Sequence, residues 1–151
     1  FHEFFRKEKM TKQLFDKKGK SKDNNVFSIL EKKGYVFTKK IDETLQGKIY
    51  KYVQISGQNI SHFAVKIASK KLYFRRVGLN ATGKSVKIYE DIVKEASIMN
   101  YLGTKNPPKG FIKCVDILTD SEYFGLIMEY GGQSFFDYVH EQHGLINKGL
   151  L

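Results

Sequence analysis

Eight residues, Gly78 to Ser85, read GLNATGKS and satisfy the phosphate-loop pattern G-x-x-x-x-G-K-[ST] at every required position. In that motif backbone amides and a helix N-terminus hold phosphate oxygens, and the lysine supplies a positive charge. The chemistry requires a buried strand that delivers the first glycine and a helix that begins at Gly83-Lys84-Ser85. Behind the motif, apolar residues at 86, 88, 89, 92, 93, 96, 98, 99 and 102 predict a helix over 86–102, with Ser85 as its candidate N-cap. In front of it, LYFRRV (72–77) carries two consecutive arginines, unlike the apolar run of a buried parallel strand. The phosphate loop is therefore disfavoured, and the segment reads as a connection that leads into a helix. His140 and His143 stand in an H-x-x-H spacing that could hold a metal, but no further ligands accompany them and no metal site is expected. Tyr50, Tyr52, Phe135 and Phe136 could stack on bases, yet core packing accounts for them better.

The elements around these residues follow hairpin logic. Segments 34–41 (GYVFTKKI), 48–55 (KIYKYVQI), 62–68 (HFAVKIA), 111–118 (FIKCVDIL) and 123–130 (YFGLIMEY) read as strands. SGQN (56–59) and TDSE (119–122) read as turns, and TKNPPKG (104–110) ends the helix. FFDYVHEQHG (135–144) opens a final helix. Three strands, one helix and two strands, without strand–helix alternation, predict an α+β fold: a five-stranded antiparallel sheet with one main helix.

Ahead of this lies a basic arm. Phe1, Phe4, Phe5, Leu14 and Phe15 fall at roughly helical spacing among lysines and arginines, and 19–25 (GKSKDNN) has linker chemistry. The formal net charge of +10 is concentrated here, with +7 in residues 1–40 and +3 in the remainder. Such an arm suits an acidic partner, and docking onto a protein surface is preferred over a membrane surface or specific nucleic acid. No apolar run approaches the ~20 residues that span a bilayer. The chain carries one cysteine, Cys114, in an apolar context that reads as a small core residue. It lacks a secretory pattern at its start, so the expected location is intracellular, in the cytoplasm. The chain starts at Phe1, not Met, and is expected to be part of a longer polypeptide.

The order of motifs from residue 34 onward, covering about 118 of the 151 residues, resembles the N-terminal lobe of a eukaryotic-type protein Ser/Thr kinase. The triplet AVK of that family's third strand falls on Ala64, Val65 and Lys66, and KEASIM supplies Glu95 on the helix 29 residues later. LIMEYGG (126–132) resembles the fifth strand and hinge. The glycine-rich loop falls on Asp42, Thr44, Gly47 and Ile49. The resemblance implies an ATP-binding lobe in which Lys66 contacts the α- and β-phosphates and Glu95 anchors it through an ion pair. It further implies that Ile41, Ile49 and Ala64 roof the adenine, that Met128 backs the pocket and that backbone groups of Glu129 and Gly131 meet the adenine edge. Gly47 would border the phosphates. Residues 1–25 then form the arm and linker, 26–130 the lobe, and 131–151 the hinge exit and the start of a C-lobe helix.

Two departures shape the functional expectation. Asp42 and Thr44 stand where the family has glycines whose bare backbone approaches the phosphates. The H-R-D and D-F-G aspartates, general base and Mg²⁺ ligand in the family, do not occur in these residues. The expected function is thus ATP binding within a protein kinase, with Mg²⁺ and phosphoryl transfer to a protein substrate belonging to the complete enzyme. The alternative is a pseudokinase-like interaction module that docks through its basic arm.

Overall fold

The computed structural model describes residues 25–103, 110–132 and 138–140. The expected basic arm and the linker up to residue 24, along with Phe135, Phe136 and His143, lie outside these residues. The described chain begins at a helix cap. Asn25 Oδ1 accepts the Ser28 amide at 2.8 Å and opens α1 (Val26–Lys32). Val26 and Leu30, four residues apart, form one face and are fully buried. Burying a side chain such as Leu30 is worth about 2 kcal/mol. Gly34, at φ 78°, ends the helix where a side chain would be strained.

Five strands follow: β1 (Val36–Glu43), β2 (Gly47–Ser56), β3 (Asn59–Ser69), β6 (Cys114–Thr119) and β7 (Tyr123–Glu129). They form one antiparallel sheet in the order β1-β2-β3-β7-β6. This is the α+β architecture that the alternation predicts. Bulges between Phe37 and Lys39 and between Lys40 and Asp42 interrupt the β1–β2 register. Beyond the second bulge Asp42 pairs with Ile49 and Glu43 with Lys48, so β1 runs on to Glu43, past the expected end at Ile41.

Residues alternate between the two sheet faces, and each face builds its own core. Val65, Ile67 and Ile127 point to the face covered by α1, with Tyr52 and Leu118. Ala68, Leu126 and Met128 point to the other, against Ile92, Val93 and Ala96 of the long helix α3 (Ile92–Gly103). Lys66 lies on this second face, between Ile49 of β2 and Leu126 of β7.

The connection between β3 and α3 departs from expectation. The helix predicted from 86 begins at Ile92. Ser85 is not its cap; it starts β5 (Ser85–Lys87), which pairs with β4 (Val77–Leu79) as a small hairpin. GLNATGKS is therefore a turn. Asn80 Oδ1 accepts the amides of Thr82 and Lys84 at 3.0 and 2.9 Å and the Thr82 hydroxyl at 2.8 Å, and Gly83 takes φ 77°. No helix starts at Gly83-Lys84-Ser85, which removes the phosphate-loop geometry outright. Residues 70–75 form a short helix, α2 (Lys70–Arg75), capped by Ser69.

Among the described residues no helix is long and apolar enough to cross a membrane.

Candidate functional site

Lys66 and Glu95 meet. The Lys66 ammonium donates to Glu95 Oε2 at 2.7 Å, across the gap between β3 and α3. Lys66 is almost fully buried, with 11% of its side chain exposed against 36% for Glu95. An ammonium held this deep needs a paired acceptor, since an unpaired buried cation is costly. The sheet fixes the lysine stem between two strands, so the ammonium is held in place with its counter-charge beside it, at a recess of about 330 Å³. That recess is lined by Lys66, Glu90, Asp91, Lys94, Glu95 and Met99, with Tyr89 and Ile98 at its edge.

The helix that carries Glu95 is placed by contacts the sequence reading missed. Asp91 caps α3, accepting the Lys94 amide at 3.0 Å on Oδ1, and its carbonyl accepts the Glu95 amide at 2.9 Å. Its other oxygen accepts from Arg76 Nη2 at 2.8 Å, while Arg76 Nη1 donates to the Glu90 carbonyl at 2.8 Å. Arg76 adopts φ 55°, a left-handed conformation that costs a side-chain-bearing residue about 1–2 kcal/mol. These two bonds, and a stacking distance of 4.4 Å over the Tyr73 ring, hold it there. Burial works to raise the Asp91 carboxyl, but the Lys94 amide and the Arg76 guanidinium outweigh it and hold it below the usual range. Asx capping was legible in IYEDIVKEA, where Asp91 precedes the apolar run. The arginine bridge was not, because it joins segments 15 residues apart through a fold-dependent turn.

The other expected site residues are partly assembled. Ala64 pairs with Met128 across β3 and β7, and Ile49 pairs with Lys66, so all four lie on the face of the Lys66–Glu95 pair. Met128 is buried and packs in the same core as Ala64. Ile41 falls at the β1 bulge and is 39% exposed. Glu129 ends β7; its amide donates to the Lys113 carbonyl at 3.0 Å and its carboxylate accepts the Lys113 amide at 3.2 Å. Gly131 follows, exposed, in a position where an added Cβ would lie 2.9 Å from Ile112 Cδ1.

The β1–β2 turn is closed upon itself. Thr44 donates to the Gly47 carbonyl at 2.9 Å, and the Gly47 amide faces the Thr44 hydroxyl at 3.1 Å. The Glu43 amide goes to Asp42 Oδ1 at 2.7 Å and the Leu45 amide to Glu90 Oε1 at 3.3 Å. Gln46 is fully buried, with side-chain Nε2 donating to the Glu90 carbonyl at 2.6 Å and the main-chain carbonyl accepting the Ser69 amide at 2.8 Å. The turn is latched to the segment that precedes α3, and four of its amides already have acceptors in the chain. Gly47 is needed for a reason internal to the sheet: a Cβ there would stand 1.8 Å from the Ile67 carbonyl oxygen.

Cys114 is half-buried beside this core, and burial, reinforced by Asp116, pushes its thiol up to about 11. It stays a protonated, inert packing group at neutral pH. Among the described residues no cluster of three or more His, Cys, Asp and Glu side chains is arranged to hold a metal ion.

No protein-family model matches the chain, and no curated protein matches it.

Proposed function

We propose that this chain is the ATP-facing lobe of a protein Ser/Thr kinase-like fold, with Lys66 as the contact for the α- and β-phosphates and Glu95 as the residue that orients it. One observation carries the reading: a nearly buried lysine on the middle strand of a five-stranded antiparallel sheet is paired at 2.7 Å with a glutamate on the helix that follows. An ammonium set in a fixed position, with its counter-charge behind it, is suited to phosphate oxygens. Ile49, Ala64 and Met128 form the apolar surface beside it on which adenine rests, with the backbone of Glu129 and Gly131 at its edge.

The residues fit ATP unevenly. The Lys66–Glu95 pair and the apolar face fit phosphate and adenine. The β1–β2 turn does not fit a phosphate cradle, because its amides are committed to Asp42, Gly47, Thr44 and Glu90. Asp42 adds a negative charge beside that turn. Bound ATP would supply the phosphoryl group and Mg²⁺ its charge neutralisation; Mg²⁺ is proposed only for the complete kinase, since no residue described here is assigned to it. Transfer to a protein substrate belongs to that enzyme too.

The test is ATP binding to wild type and Lys66→Met by isothermal titration, with adenosine as control. A loss of at least tenfold in ATP affinity, about 1.4 kcal/mol, with adenosine binding unchanged is expected. Equal ATP affinity for both proteins would refute the role of Lys66.

The committed turn amides favour a second reading, an interaction module that keeps the lobe and binds no nucleotide. Its partner would be an acidic protein surface, met by the basic arm. Absence of ATP binding to wild type, with loss of poly-glutamate binding at moderate salt on deletion of residues 1–24, would establish it over the first.

A further inference from the structure

On the sheet face opposite the Lys66–Glu95 pair, α1, β1 and β2 enclose a recess of about 510 Å³. Its walls are Phe27, Tyr35, Phe37, Tyr50 and Tyr52, and Glu31 is the single charged side chain that lines it. The rings stand at near right angles to one another: Phe27 to Tyr50 at 72°, Phe37 to Tyr50 at 70° and Phe37 to Tyr52 at 77°, with centroids 5.8–6.3 Å apart. Core aromatics would fill such a space, yet here Phe27 is 40% and Phe37 56% exposed. Among the described residues no ion pair engages Glu31, and the neighbouring Lys33 is committed to Asp116. A box of perpendicular ring faces with one unpaired carboxylate is complementary to an organic cation. The ring quadrupoles attract it, and the carboxylate gives it direction.

We propose that this recess binds an arginine side chain of a partner polypeptide, with the guanidinium stacked among Phe27, Phe37 and Tyr50 and forked onto Glu31. Arginine fits better than lysine for two reasons. A flat, weakly hydrated guanidinium loses less on leaving water and matches both ring faces and carboxylate geometry, while an ammonium is compact and strongly hydrated. A polypeptide source suits the location: the recess opens at β1, the sheet's edge strand, which is exposed along its full length and borders the cavity through Val36 and Phe37. The site is independent of the nucleotide reading, because it lies on the other face and shares no residue with it.

The experiment is an NMR titration of the 151-residue chain with N-acetyl-arginine methylamide, followed through its aromatic resonances. Saturable shifts centred on Phe27, Phe37 and Tyr50 are expected, and the citrulline analogue, an uncharged isostere, should leave them in place. Glu31→Gln should weaken the response about fivefold, and Phe37→Ala, at a half-exposed position, should abolish it while the amide spectrum elsewhere is retained. An equal response to citrulline, an equal response to the lysine analogue, an unaffected Glu31→Gln protein, shifts centred on Lys66, or no shift at all would each overturn the proposal.

Discussion

Replacing Gly47 by alanine separates two explanations of the same glycine. The kinase resemblance places it beside phosphates, where a side chain would obstruct a ligand. The sheet places it against β3, where a Cβ would lie 1.8 Å from the Ile67 carbonyl oxygen, 2.8 Å from its carbon and 2.9 Å from Ala68 Cα. All three atoms are backbone, so no rotamer change relieves the contact. The β3 segment is also bonded on its other side, Ile67 being paired with Gly125 of β7. Relief therefore requires β2 to move outward by more than an ångström, at the expense of the Gly47–Ala68 pairing and the Ser69–Gln46 bond. Overpacking of this kind costs about 3 kcal/mol, the upper part of the usual range. For a chain of 151 residues that lowers Tm by roughly 6–12 °C. Calorimetry without any ligand measures it. Gly57→Ala is the control, since an added Cβ there meets open space and only its φ of 60° is unfavourable, a cost of about 1 kcal/mol. A ligand-free Gly47→Ala protein melting within roughly 4 °C of wild type would refute the packing argument.

Asp91→Ala should cost about 1–2 kcal/mol at pH 7 through loss of the α3 cap and the Arg76 bridge, measured by urea unfolding. Because the folded carboxyl titrates below its unfolded value, that contribution is full above about pH 4 and is lost as pH falls through the folded value, so wild type and variant should converge at the acid end. Asp120 is buried and accepts three amides, from Val26 at 2.7 Å and from Glu122 and Tyr123 at 2.6 Å each. Asp120→Ala strands those donors and should destabilise by roughly 3 kcal/mol, read as a lower urea midpoint. Lys66→Met should leave stability within about 1 kcal/mol of wild type in the same assay, since the variant removes the desolvated ammonium, keeps an apolar stem, and leaves behind a Glu95 carboxylate that is 36% exposed and stays hydrated.

The strands were legible because their chemistry is local. Alternation in KIYKYVQI and HFAVKIA reflects a side-chain period that any half-buried strand imposes, and the two segments pair residue for residue from Gly47–Ala68 to Ser56–Asn59. The start of α3 was misplaced because Val86 and Ile88 continue its apolar spacing. The turn chemistry of Asn80 and Gly83 diverts those residues into a hairpin, and Ile88 reaches the core from an extended segment. Periodicity cannot tell these outcomes apart over so short a run. Helix α1 escaped notice for the same reason: seven residues carry little pattern, and its first amide is satisfied by Asp120, 94 positions away.

Residue types and spacing by themselves determined that this chain forms an antiparallel α+β lobe and that Lys66 and Glu95 belong to its strand and its helix. Both follow from side-chain periods that do not depend on distant partners. Only the tertiary structure decided that the two meet at 2.7 Å, that the β1–β2 turn spends its amides on its own neighbours, and that Gly47 is required by the Ile67 carbonyl. Those outcomes depend on where separate segments are brought together, and the forces that bring them together are burial and hydrogen-bond satisfaction summed over the whole sheet.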